Sequence, residues 1–222
     1  MSQVQTLVLQ FANDISFNDI PKFRGAVIAS LDKKDILYHN HTDTQFRYAY
    51  PLIQYKRIHQ KAAIVCIGDG VKAIQELFAS SNFQFCIGEK EVEMKIDYAK
   101  AYEHDIRITD DTHFYRIHSW LPLNSENYKK FQHTDSYVEK VQMLEQLLIG
   151  NILSFLKGVG IHIEERLELH ITNIVDQHPS VLKTVKMMAF DIEFKANIIL
   201  PPYIGIGKSA SIGFGTLTII TN

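Results

Sequence analysis

The chain has 222 residues, 46% of them apolar and 22% charged, and carries a formal net charge of −2. This composition excludes a disordered chain and suffices for one large domain or two small ones, each with its own core. The near-neutral balance excludes a surface coated in positive charge, but a local basic groove still suffices to hold nucleic acid.

Cys66 and Cys86 sit in the apolar runs AAIVCIG and FQFCIG and are expected as buried thiols in strands. Neither zinc spacing nor a secretory signal pattern is present, and no apolar run approaches ~18 residues. The expected compartment is the cytoplasm, with no membrane partner. The sequon Asn40-His41-Thr42 has no weight without a secretory signal.

In chain order, QVQTLVLQF (3–11) reads as a strand, with Val4, Leu7, Leu9 and Phe11 apolar. Ser16 begins a helical stretch, with Asp19 placed for a loose capping box. Ile20, Phe23, Ala26, Val27 and Leu31 recur at three- and four-residue steps and give that helix one buried face. Residues 39–50 read as a loop entering a short strand. Residues 52–67 read as a longer strand region that begins wet and ends buried. Asp69 or Gly70 opens a second helix, and Phe83 to Ile87 follows as a strand. The order β-α-β-β-α-β is the ferredoxin-like, split βαβ arrangement.

The second half is similar but irregular. Residues 91–109 read as charged strands or connections, and His113 to Leu121 as a strand containing Trp120, expected in the core. Thr134 caps a long helix carrying Tyr137, Val141, Leu144, Leu148, Ile152 and Phe155. Gly158 and Gly160 stop it. Strands follow near 161–175, 181–200 and 213–220, with no second helix late in this half. The expected fold class is α+β, two tandem ferredoxin-like (RRM-like) βαββαβ domains over 1–108 and 109–222, the second having lost or shortened its last helix.

Residues 205–215 read Gly-Ile-Gly-Lys-Ser-Ala-Ser-Ile-Gly-Phe-Gly and hold four of the eleven glycines, a cluster that asks for a local cause. Glycine admits close backbone approach and positive φ. The physical reading is a loop whose N–H groups, with Lys208, hold an anionic backbone. The competing reading is a glycine-rich hairpin that only turns a sheet. A Walker A loop would need glycine where Pro202 stands and a helix after Ser209. A dinucleotide fingerprint would need a βαβ unit that the remaining residues have no room for. No nucleotide cofactor is expected.

Gly-hydrophobic-Gly, five residues including a lysine, then Gly-hydrophobic-Gly, near the C-terminus, resembles the signature loop of the CRISPR repeat-processing endoribonucleases, the Cas-six family. These belong to the RAMP superfamily of tandem ferredoxin-like proteins. Relatives that do not cut share glycine-rich loops, so the loop alone fits a cleaving enzyme or a guide-RNA-binding scaffold.

Cutting RNA without metal needs a base for the 2′-hydroxyl, an acid for the 5′-leaving oxygen and stabilisation of charge on phosphorus. Histidine suits both proton roles. His39 and His41, one residue apart, point to the same side of an extended backbone. The segment from Arg47 to Lys61 carries Arg47, Lys56, Arg57, Lys61 and His59 with no acidic residue, among Tyr48, Tyr50 and Tyr55. Its cations and rings suit phosphates and unpaired bases. Two other readings of the histidines stay open: a metal site completed by Asp43 or His59, or loop residues without a role.

The resemblance adds expectations. The family's catalytic histidine lies just after the first helix, and a His-x-His pair marks the b-type subfamily, which His39 and His41 match. Tyr48 and Lys56 take the place of its helper residues. Arg47, Arg57, Lys61, Gly205, Gly207, Lys208, Ser209, Gly213 and Gly215 would bind the RNA. The implied activity is metal-independent cleavage of CRISPR repeat RNA to 2′,3′-cyclic phosphate and 5′-hydroxyl ends, with no cofactor. The implied partners are that repeat RNA (pre-crRNA), with a homodimer and other CRISPR-associated proteins left open. A ferredoxin-like domain with no RNA ligand is the third function class.

Overall fold

Alternation in β1 (Gln3–Asp14) puts Leu7, Leu9 and Phe11 on one face of a sheet, where they meet the first helix. This computed structural model describes residues 3–31, 50–182 and 184–221. His39, His41, Asp43, Arg47, Tyr48 and the short strand expected within 39–50 (Tyr50 apart) lie outside the described residues. The chain divides into one unit of Met1–Asp105 with Ser211–Gly213 and another of Ile106–Ala210 with Phe214–Asn222.

In the first unit, a 3-10 turn over Phe17–Asp19 precedes α1 (Ile20–Ala29). The helix starts at Ile20, where its apolar period begins, and not at Ser16. Ser16 Oγ donates to the Asp19 carboxylate at 2.7 Å and caps no backbone N–H. Pro21, which lacks an N–H to satisfy, stands in the first turn. Phe23 is fully buried and meets Phe11, Tyr55 and Phe85 edge-on, with ring centroids 5.8, 5.8 and 6.2 Å away.

The region 52–67 is a hairpin, not one strand. β2 (Ile53–Ile58) turns at His59 and Gln60 into β3 (Lys61–Ile67), and both turn residues have positive φ, 48° and 71°. A two-residue hairpin of that twist favours Asn-Gly. His-Gln gives no such signal, so the turn is invisible in composition. After α2 (Asp69–Ser80), β4 (Gln84–Ile87) and β5 (Lys90–Glu93) pair only with each other among the described residues. The fourth strand of the main sheet is β6 (Ile96–Asp105), not the Phe83–Ile87 segment. The antiparallel order β2-β3-β1-β6 is that of a βαββαβ ferredoxin-like unit.

The second unit repeats the order. β7 (Ile108–Trp120), α3 (Ser125–His133), α4 (Tyr137–Gly158), β8 (Leu169–Leu182), β9 (Val185–Ile198) and β10 (Thr216–Ile219) build a sheet in the order β10-β7-β9-β8. Between β9 and β10 the chain makes only a 3-10 turn, Ala210–Ile212. The second ferredoxin-like unit has therefore lost its last helix, as the sequence suggests. Ser136, not Thr134, caps α4, accepting from the Glu139 N–H at 3.3 Å. Leu144, Leu148, Ile152, Phe155 and Leu156 form its buried stripe, whereas Tyr137 is exposed. Gly160, at φ 73°, ends the turn that follows.

Cys66 is buried, and burial raises its thiol pKa above the ordinary value. Cys86 is exposed, because it alternates with buried Phe85 in a two-stranded ribbon. Among the described residues no helix is long and apolar enough to cross a membrane.

Candidate functional site

The glycine segment is a tightly packed connection whose outward-facing member is Lys208. Ile204, Ile206, Ala210 and Phe214 are buried, and Lys208 is exposed. Two antiparallel exchanges close the segment: Tyr203 N donates to Leu217 O at 2.7 Å, and Ile206 N to Gly215 O at 2.8 Å. The local sequence explains the glycines at two positions. A Cβ on Gly215, which has φ 62°, would collide with the Ile206 carbonyl. A Cβ on Gly207, at φ 88°, would lie 2.5 Å from Asn151 Oδ1 and 2.9 Å from Trp120 Nε1.

Those last two atoms form a hydrogen bond of 2.9 Å, so Gly207 lies over a part-buried polar link between β7 and α4. Trp120 is fully buried, a core residue as expected. It reaches that position through a bulge in β7, where Ser119 takes φ 49° and its N–H donates to Asp191 Oδ1 at 2.6 Å. Gly215 N donates to Ser119 O at 3.3 Å, which attaches the loop to the bulge. Burial acts to raise the Asp191 pKa, but hydrogen bonds from His118 and Ser119 outweigh it and hold the carboxyl below its ordinary value.

In the first unit, Ser211–Gly213 carries Ile212 onto the apolar cluster of Phe23 and Ile20, and Gly213 leaves no room for a side chain against Ile20 and Phe17. Glycine density in 205–215 thus has packing causes at all four positions, since a Cβ on Gly205 would meet Ala210 at 2.7 Å. Ser209, half-buried at φ 59°, and Lys208 are the members with side chains able to reach a ligand.

Of the basic segment, three cations are described, all on the β2–β3 hairpin. Arg57 is exposed at the end of the face that carries Tyr55. Lys61 pairs with Asp14 at 2.9 Å. Lys56 faces the other way and is wholly buried, and desolvation lowers its ammonium pKa to about 7. Among the described residues no three His, Cys, Asp or Glu side chains come together to hold a metal. His59 occupies the hairpin turn.

One set of residues escaped the sequence reading. β6 carries Tyr98, Lys100, Tyr102 and His104 on a single face. Period-two alternation over 98–104 is the signal that could have found them. It goes unnoticed when strands are sought by apolar residues, because both faces of β6 are largely exposed.

The family model described as the Cas6b N-terminal domain matches residues 2–105, and the Cas6b C-terminal domain matches 107–220. An uncharacterized protein of Methanocaldococcus jannaschii is 33% identical over 121 residues, which span 54% of this chain and 81% of that protein. A crystal structure of Cas6b superposes with a TM-score of 0.90 at 28% identity, covering 98% of this chain and 100% of the other. A crystal structure of the CRISPR RNA processing endoribonuclease Cas6b gives 0.76 at 28% identity, with the same coverage.

Proposed function

The chain belongs to the Cas6b family, and on that ground we propose that it binds CRISPR repeat RNA and cuts it at one position by metal-independent acid–base chemistry. The supporting observation is the match over both halves and the full length of a solved Cas6b described as a CRISPR RNA processing endoribonuclease.

His39 and His41 supply the two proton transfers. One takes the proton of the 2′-hydroxyl, whose oxygen attacks the adjacent phosphorus. The other donates to the departing 5′-oxygen. The products are a 2′,3′-cyclic phosphate and a 5′-hydroxyl. Tyr48 and Lys56 assist. A lysine whose pKa is lowered to about 7 exists in both protonation states at neutral pH, the condition for proton exchange or for stabilising transient charge. Arg47, Arg57, Lys61, Lys208 and Ser209 hold phosphates, and Gly205, Gly207, Gly213 and Gly215 set the shape of the loop that presents Lys208.

The test is incubation of wild type, His39→Ala and His41→Ala with RNA carrying the host's repeat, in EDTA. One fixed cut by wild type, slowed by about 10²–10⁴-fold in each variant with binding intact, supports the reading. Wild type that binds the repeat and never cuts it overturns the reading in favour of a scaffold role.

A further inference from the structure

β6 is the last strand of its sheet, and its two sets of side chains differ in kind. Pairing with β1 places Tyr98 beside Gln10, Lys100 beside Val8, Tyr102 beside Thr6 and His104 beside Val4, all on one face. The opposite face holds Ala99, Ala101, Glu103 and Asp105, and Asp97 falls at the bulge. Cation and rings are thus sorted from acids along one strand.

The rings are held in place without being spent on the core. Tyr102 is 46% exposed and lies 6.1 Å from His104, centroid to centroid. The Tyr98 hydroxyl donates to Gln10 Oε1 at 3.2 Å, and Lys100 Nζ stands 5.6 Å from the Tyr98 ring. His104 Nε2 is 2.8 Å from Thr6 Oγ1, and partial burial pushes its pKa below the ordinary value, so this ring serves as a neutral surface near pH 7. Tyrosines four residues apart on an extended strand are about 13 Å apart, with Lys100 midway. Aromatic platforms separated by a cation are how proteins hold unpaired nucleic acid: rings stack on bases and the cation meets a phosphate. Duplex RNA buries its base faces and has no use for such a stripe.

We propose that the face of β6 bearing Tyr98, Lys100, Tyr102 and His104 is a track for a single-stranded segment of RNA. The choice of RNA as ligand rests on the proposed function. The track adds where an unpaired stretch lies and what holds it. Recognition is by ring stacking and one phosphate contact, so it tolerates many base sequences.

Fluorescence anisotropy with a labelled oligouridylate of about 12 nucleotides tests the track. The proteins are wild type, Tyr98→Ala/Tyr102→Ala, Tyr98→Phe/Tyr102→Phe and Lys100→Glu. The alanine pair is expected to weaken binding by about tenfold or more, and the phenylalanine pair to keep it within about twofold, because the ring does the stacking. Lys100→Glu is expected to weaken binding and flatten its salt dependence. Equal binding by wild type and the alanine pair overturns the track, as does a phenylalanine pair as weak as the alanine pair. No oligouridylate binding by wild type overturns it too. So does a dimer in light scattering that Lys100→Glu dissociates, which would make β6 a pairing edge for a second copy. If the alanine pair does not fold, Tyr102→Ala alone and Lys100→Glu decide. Repeat-RNA cleavage, followed in parallel, keeps the two ideas apart. A protein that loses oligouridylate with the rings but never cuts keeps the track and loses the proposed function. One that cuts, yet binds oligouridylate without regard to β6, does the reverse.

Discussion

The Trp120 indole N–H donates to Asn151 Oδ1 at 2.9 Å, joining the bulged end of β7 to α4 beneath Gly207. The glycine at 207 is therefore demanded from two directions, by a backbone at φ 88° and by a part-buried polar pair with no room above it. The family's glycine signature here reports packing first, and the exposed Lys208 is carried on the packed result.

Gly207→Ala would force a side chain into the left-handed region and against that hydrogen bond. The expected loss is about 2–4 kcal/mol, from backbone strain and an exposed or broken buried bond. Thermal denaturation should show Tm lower by about 5–15 °C. An unchanged Tm would mean that the loop rearranges at no cost and that the glycine is not structural.

Asn151→Leu is a gentler probe of the same link. It leaves the Trp120 N–H buried without its acceptor, a loss of about 1–3 kcal/mol. Urea denaturation should show a lower midpoint with an unchanged slope. A midpoint equal to wild type would mean that the Trp120–Asn151 bond does not support the loop.

Lys56 makes stability depend on pH in a definite direction. Its folded pKa, lowered to about 7, is below that of the unfolded chain, so the unfolded state binds its proton more tightly. The resulting penalty is fully present below pH 7, shrinks as pH rises toward the ordinary lysine value and is gone above it. The stability of Lys56→Met relative to wild type should thus be greater at pH 6 than at pH 10, by a few kcal/mol at most. The difference should change only between about pH 7 and the ordinary lysine value. The same variant should cut repeat RNA more slowly, if Lys56 assists the reaction. Slower cutting together with lower stability would instead assign Lys56 a packing role alone.

Lys208→Ala removes an exposed cation from a rigid loop. Stability should change by no more than about 0.5 kcal/mol. RNA affinity should fall several-fold for every sequence tested, and the slope of log affinity against log salt should flatten by about 0.7, one phosphate contact on a single strand. A fall confined to one sequence would make the loop a reader of bases.

Much of the fold is legible in residue order. The apolar periods of Ile20, Phe23 and Val27 and of Leu144, Leu148 and Ile152 identify the helices because each helix has one wet side and one buried side. The missing late helix is legible too, since Pro201, Pro202 and the glycines after them cannot sustain one. What escapes has local causes. The His59-Gln60 turn lacks the Asn-Gly or Asp-Gly pair that marks such hairpins, so nothing in its composition separates it from the strands on either side. β6 is exposed on both faces and lacks the apolar alternation that marks a strand. Ser136 outcompetes Thr134 as a cap because Glu139 stands three residues on. The candidate site divides differently. The chemistry proposed for His39 and His41 rests on residue type and spacing alone. The burial of Lys56 depends on contacts that no spacing encodes, and a basic segment read as one surface is divided by strand alternation between opposite faces.

Cleavage as proposed needs the substrate's own 2′-hydroxyl as nucleophile, with His39 and His41 moving the protons. A repeat RNA with a single 2′-deoxy substitution at the nucleotide preceding the cut isolates that requirement when incubated with wild type in EDTA. The unmodified RNA should be cut once, leaving a 2′,3′-cyclic phosphate, and the substituted RNA should be bound equally well and stay intact. Cutting of the substituted RNA at the same position would show that another nucleophile attacks the phosphorus.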